Sequence, residues 1–168
     1  MSSHYFGTRI CTIAAALVLS VPALPMAFSS VLMAQDAEAA VAEREARFSE
    51  SLRNVVLVGS FTVDGKEDGP PKAERYEIES VTKAAGNLWT FMTHVKYGKV
   101  DTRLPITVPV EWAGDTPMVS LTNASIPGLG DEFSARVIFH DNRYAGTWQH
   151  GKAGGHMFGR IERKATEN

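Results

Sequence analysis

From Val55 to Arg163 apolar and polar residues alternate with a period of two, in eight runs broken by Gly, Asn, Asp and Pro. That period puts successive side chains on opposite faces of an extended backbone, so each run predicts a strand with one buried and one wet face. The runs are Val55 to Val63, Ala73 to Thr82, Leu88 to Tyr97, Leu104 to Trp112, Met118 to Asn123, Phe133 to His140, Arg143 to His150 and His156 to Arg163. Links such as Gly86-Asn87, Ala113-Gly114-Asp115 and Asp141-Asn142 are short and carry residues suited to tight turns. Short links between successive strands predict antiparallel neighbours. The fold class is therefore all-β, an antiparallel up-and-down meander of about eight strands. Closing it into a small barrel removes the exposed edges, and a two-sheet sandwich satisfies the same pattern.

The fourth run alternates most cleanly, with Leu104, Ile106, Val108, Val110 and Trp112 on one face. Pro105 and Pro109 share the other parity, so both missing N–H groups face the same neighbour, and this strand is expected to border a gap or an edge.

Ahead of the strands, Asp36 to Asn54 places Val41, Phe48, Leu52 and Val55 at helical spacing. The segment predicts a short N-terminal helix or a partly ordered leader. Met1 to Ala34 differs in kind: it holds Arg9, no acidic residue, and an apolar run from Ile10 to Val21 ended by Pro22 and Pro25. This is the pattern of a secretory signal peptide, with cleavage after Ala34, or after Ala27 or Ala39. The resulting division is 1–34 signal peptide, 35–54 helix or leader and 55–168 β domain, and the location is extracytoplasmic, periplasmic or secreted. Uncleaved, the stretch from Ile10 to Ala34 would serve as a membrane anchor.

Composition removes several functions. Among 168 residues, 17 Lys and Arg oppose 19 Asp and Glu for a net charge of -2, and the charges are scattered. No basic stripe is present to hold a phosphate backbone, so nucleic acid is not a partner. Cys11 lies within the signal segment, leaving the exported domain without a disulfide, a thiol nucleophile or a thiolate ligand. Gly-x-Ser-x-Gly, His-Glu-x-x-His and phosphate-binding glycine loops are missing, so no catalytic residue and no cofactor is assigned. Asn123-Ala124-Ser125 matches a glycosylation acceptor.

The last three strands carry the candidate residues. A two-residue turn at Asp141-Asn142 pairs Phe139 with Tyr144 and Ala135 with Trp148. A five-residue loop over Gly151 to Gly155 would set His150 opposite His156, Trp148 opposite Phe158 and Gly146 opposite Arg160. One face then gathers Tyr144, Trp148, Phe158 and Arg160 as a ligand lining, with Arg160 and Tyr144 available to a ligand carboxylate. Alternatively Arg160 stacks on Trp148 and pairs with Glu162. His150 and His156 would suit two ligands of one metal, the third coming from His94, Asp101 or Asp115; the alternative is a solvated pair beside a turn.

Gly146-Thr147-Trp148 followed by Gly155-His156-Met157-Phe158-Gly159-Arg160-Ile161 resembles the closing strands of small secreted calycin-like barrels, the group that includes lipocalins and lipocalin-like proteins of bacteria. The Gly-x-Trp of lipocalins belongs near the first strand, whereas here it stands near the C-terminus, and paired cysteines are missing. The resemblance implies a small calycin-like barrel holding a small apolar or amphipathic molecule. A cell-envelope module that engages a protein partner through its outer face and the fourth strand is the alternative.

Overall fold

The computed structural model describes residues 26–66, 68–97 and 100–164, with side chains except at 26–32, 95–97, 100 and 101. The charged and apolar regions of the segment read as a signal peptide, up to residue 25, lie outside the described residues. Two compact units are distinguished, Met1–Asp36 and Ala37–Asn168. The first contributes only the opening turns of α1 (Met26–Ser51) to the described residues, and Ala34-Gln35 lies within that helix. No helix among the described residues is long and apolar enough to cross a membrane.

The second unit is a closed barrel in which each strand pairs with the next and β8 returns to β1. Its strands are β1 (Val55–Phe61), β2 (Lys72–Ala85), β3 (Leu88–Tyr97), β4 (Val100–Ala113), β5 (Thr116–Ile126), β6 (Gly130–His140), β7 (Arg143–His150) and β8 (Ala153–Arg163). All eight predicted runs form strands, all adjacent pairs are antiparallel, and the barrel is the solution realised rather than the sandwich. Closure gives every strand two neighbours and leaves no free sheet edge of the ordinary kind.

The β6–β7 hairpin takes the anticipated form. Asp141 and Asn142 both adopt left-handed backbone, φ 45° and 57°, which matches the twist of a two-residue hairpin. His140 then pairs with Arg143, and Ala135 with Trp148.

The β7–β8 hairpin differs. The turn is Gly151-Lys152, with Gly151 at φ +58° and His150 paired with Ala153. Ala153, Gly154 and Gly155 enter the strand instead of extending the loop. The partner of His150 thus moves from His156 to Ala153, an odd shift that turns every side chain of β8 to the other face. Phe158 and Arg160 consequently point outward, and His156 lies opposite Thr147 on the outer wall.

At β4 the expected gap is present. The Val110 N–H donates to the Asn87 carbonyl in the β2–β3 hairpin, so the adjacent parity, that of Pro109 and Pro105, faces β5. Neither proline can donate, and among the described residues the β4–β5 ladder runs only from Val110 to Ala113. On its other side β4 pairs with β3 over ten residues. Opposite the prolines β5 is bulged between Leu121 and Ala124, with Asn123 at φ 46°. Ser134 Oγ accepts from the Asn123 N–H, and Arg136 donates to the Leu121 carbonyl, which replaces ladder bonds with side chains.

The end of α1 closes one end of the barrel. Phe48 and Leu52, four residues apart, are buried, whereas Val41 on the preceding turns is exposed. Phe48 meets the ring edges of Trp89 at 5.1 Å and Trp112 at 5.6 Å, and lies near Phe91 and Phe139. Arg163 of β8 donates to the Glu50 and Arg53 carbonyls, satisfying helix-end acceptors. The predicted helix thus exists, is longer than anticipated, and uses two of the four residues assigned to its apolar face as a plug; Val55 opens β1.

Removing the plug tests this account. Phe48→Ala is expected to cost about 3–5 kcal/mol, from lost transfer energy and the cavity left among the rings. Val41→Ala is expected to stay within about 0.5 kcal/mol. Urea unfolding of the two variants decides it, and equal effects would contradict a plug formed at Phe48.

Candidate functional site

The interior is unevenly filled. Near α1 it is packed with Phe48, Leu52, Ile78, Trp89, Val110 and Phe139, all buried. Toward the distal end the inward-facing Leu104, Ile106, Ala124, Phe133, Ala135 and Met157 are only partly buried, as are Trp112 and Ile161 beside the plug.

Between these regions lies Glu74, a carboxylate only 9% exposed. The Tyr144 hydroxyl donates to its Oε1 at 2.7 Å and the Tyr76 hydroxyl to its Oε2 at 3.3 Å. The register explains how Tyr144 of β7 reaches Glu74 of β2. Tyr144 pairs with Gly159, Gly159 with Gly59, and Gly59 with Glu74, forming one row across four strands. Strands stand about 4.8 Å apart, so the row spans about 14 Å, which the phenol and the carboxylate must bridge between them. The two glycines leave the trench in which the ring lies. A Cβ on Gly159 would meet Tyr144 Cε1 and Gly59 Cα, both at 2.7 Å, and one on Gly59 would collide with the Tyr144 hydroxyl.

A second row repeats the device nearer the distal mouth. Trp148 pairs with Gly155, and its indole N–H crosses the strand to donate to the Thr62 carbonyl at 3.1 Å. Phe61 packs edge-on against it at 5.7 Å.

Electrostatics follow from the burial. Desolvation pushes the Glu74 carboxyl above its ordinary value of 4.5, against the opposing pull of the two hydroxyl bonds. Burial, then the bond to Glu74, raises Tyr144, and burial with the nearby Glu74 charge raises Tyr76, so both phenols remain proton donors. Among the described residues, basic groups at inward parity stand only at the rims, Lys72 and His150 distally and Lys83 and Arg163 beside α1. Lys83 pairs with Glu45 of the helix. Among the described residues Glu74 has no cation as a partner, an unusual arrangement for a buried carboxylate.

The sequence-derived candidates divide accordingly. Tyr144 and Trp148 face the interior and line the two rows. Phe158 is 48% exposed on the outer wall, and Arg160 is outside too, paired with Glu162. The four do not form one lining, because the shorter β7–β8 turn separates them by face. His150 and His156 also part: His150 stacks on Phe133 at 4.1 Å, while His156 belongs to the outer wall, so the two-histidine metal arrangement is not assembled. Among the described residues no three His, Cys, Asp or Glu side chains cluster as metal ligands. Asp101 lies outside the residues whose side chains are described.

Glu74 was legible only by parity, since it shares a face with Tyr76 and Ile78 in an apolar series. The β2 bulge obscures this by bringing Val81 to the same face as Ile78.

Two grooves lie elsewhere. One, of about 300 Å³, flanks the plug between Arg44, Arg47, Trp112, Asp115 and Asp141. Arg44 stacks on Trp112 at 4.1 Å there and Arg47 pairs with Glu43, so both are engaged. The other, of about 680 Å³, includes Arg136, Thr147, Trp148, Lys152 and His156. No protein-family model, curated protein or solved structure matches the chain.

Two outcomes check this geometry. Gly59→Ala forces Tyr144 off Glu74 and is expected to cost about 3 kcal/mol or more, whereas Gly69→Ala, where a Cβ would meet only an ordinary contact with the Lys66 carbonyl, stays within about 0.5 kcal/mol by urea unfolding. The pH dependence follows from the raised Glu74 value. The folded state holds that proton more tightly than the unfolded chain, so the associated stability is full below the ordinary value and declines as pH rises through the folded one. Relative to Glu74→Gln, the wild type is therefore expected to lose stability as pH is raised from about 4 toward 8, followed by unfolding at each pH. A difference independent of pH would show that Glu74 titrates as it does in the unfolded chain.

Proposed function

We propose that this is an exported binding protein that admits a small, largely apolar molecule into the distal half of the barrel. One observation carries the reading: an apolar inner wall whose distal side chains are only partly buried surrounds a buried carboxylate, Glu74, the one buried charged group among the described residues. Binding sites are commonly built this way, an apolar lining with few polar groups that set orientation. A barrel evolved only for stability gains nothing from a lone interior carboxylate, because an apolar residue of similar volume avoids the desolvation cost. Trp148, Met157 and Phe133 supply the walls near the mouth, and Tyr144 acts through Glu74 rather than on a ligand carboxylate. Arg160, ion-paired on the outside, has no part in this site. The resemblance to calycin-like barrels is in keeping with such a use, and export rests on the N-terminal pattern of Arg9 followed by the apolar run from Ile10.

The neutral fluorophore N-phenyl-1-naphthylamine tests the reading with the full chain. Saturable one-to-one binding is expected. Met157→Trp, which fills the lumen, should weaken it at least about tenfold, and Phe158→Ala on the outer wall should leave it within about twofold. Absence of saturable binding, or equal sensitivity to both substitutions, overturns it.

A further inference from the structure

We infer that the molecule taken up by this barrel carries a protonated amine on an apolar body, and that Glu74 receives the ammonium group. The inference rests on the binding reading above and names the class of ligand for that site.

The polar chemistry of the interior is one-sided. Tyr144 and Tyr76 each have one hydroxyl proton, and both protons are spent on Glu74. What remains for a visitor is acceptor capacity: a carboxylate offers about four lone-pair directions, of which two are used, and each phenol oxygen keeps lone pairs of its own. Among the described residues a ligand carboxylate would find no free donor beside Glu74 and would face a like charge. An alcohol can donate a single proton and brings no charge. An alkylammonium brings three donors and supplies the positive charge that the described interior lacks between its rims. Charge-assisted hydrogen bonds of this kind are about twice as strong as neutral ones, and more so where water is excluded.

The surroundings set the rest of the ligand. The wall on the distal side of Glu74 is aliphatic and aromatic, through Leu104, Ile106, Phe133, Trp148 and Met157, so the body must be apolar. Lys72 shares the strand face of Glu74 at the mouth and is exposed. It disfavours an amine left outside and favours one carried past it to the carboxylate. Head-in binding of an amine and head-out binding of a carboxylate at Lys72 are thus opposite alternatives at the same opening.

Three probes of equal chain length separate them: octylamine, 1-octanol and octanoate, titrated into the full chain near neutral pH and followed by tryptophan fluorescence and calorimetry. Octylamine is expected to bind at least about tenfold more tightly than either other probe. In Glu74→Gln that preference should collapse to within about threefold while octanol binding persists, and Tyr144→Phe should weaken the preference without abolishing it. Comparable affinities for all three probes in the wild type overturn the amine assignment and leave the binding reading standing. Preference for octanoate also overturns it and moves the polar contact to Lys72. Failure of all three probes, together with N-phenyl-1-naphthylamine, overturns the binding reading itself. The wild-type comparison decides the matter even where Glu74→Gln does not fold.

Discussion

The Tyr144 hydroxyl reaches Glu74 because two glycines stand between them, and this one span ties together the barrel's closure, its register and its interior chemistry. Gly159 and Gly59 are direct partners across the seam where β8 meets β1. A side chain at either position would lift the phenol from the wall. Glycine weakens a strand by lost conformational entropy, roughly 0.5–1 kcal/mol each relative to alanine. Laying an aromatic ring across the bare backbone recovers packing at the same place. Trp148 over Gly155 applies the same solution two rows nearer the mouth. The seam is thus a part of the wall where bare backbone is covered by overlying rings.

Much of the fold was legible in the sequence because the main stabilising force, burial of one face of each strand, writes itself as a period of two. The clean alternation of Leu104 to Trp112 and the Asp141-Asn142 turn located strands and one hairpin register. Phe48 and Leu52 likewise announced the helix that plugs one end. The β7–β8 register was not legible by the same means. Gly151 to Gly155 is glycine-rich and reads as a loop, yet Gly155 is in the strand because the backbone of Thr62 approaches too closely for any side chain. Glycine signals a turn and a close approach with the same letter, and only the tertiary arrangement distinguishes them. The consequence was discrete: an odd change of register sent Phe158, Arg160 and His156 outside together.

The site was less legible than the fold, since its members are scattered over four strands and have no fixed spacing. Tyr144 was identifiable as an inward aromatic, but its partner lies 70 positions away in sequence. Register shifts in β2 and in β5 break the parity rule at the points where it would have been most useful. Bulges re-aim side chains, and in β2 the bulge lets Ile78 and Val81 both face the core while Glu74 keeps its inward place. The outer wall compensates charge more conventionally. Glu77 there is held below its ordinary value chiefly by its bond to Lys164, in contrast to the isolated interior carboxylate.

The proline-bearing strand has a mechanical consequence. β4 is bound to β3 by ten residue pairs and to β5, among the described residues, by four at the end nearest α1. A cylinder joined this way around its circumference behaves as a sheet hinged at one place, stiff along the glycine seam and compliant along the line between β4 and the bulged half of β5. Thermal opening follows the least-bonded line, so the wall parts there while the Tyr144 to Glu74 span remains closed. Widening of the distal half along that line would leave the row from Tyr144 to Glu74 in place.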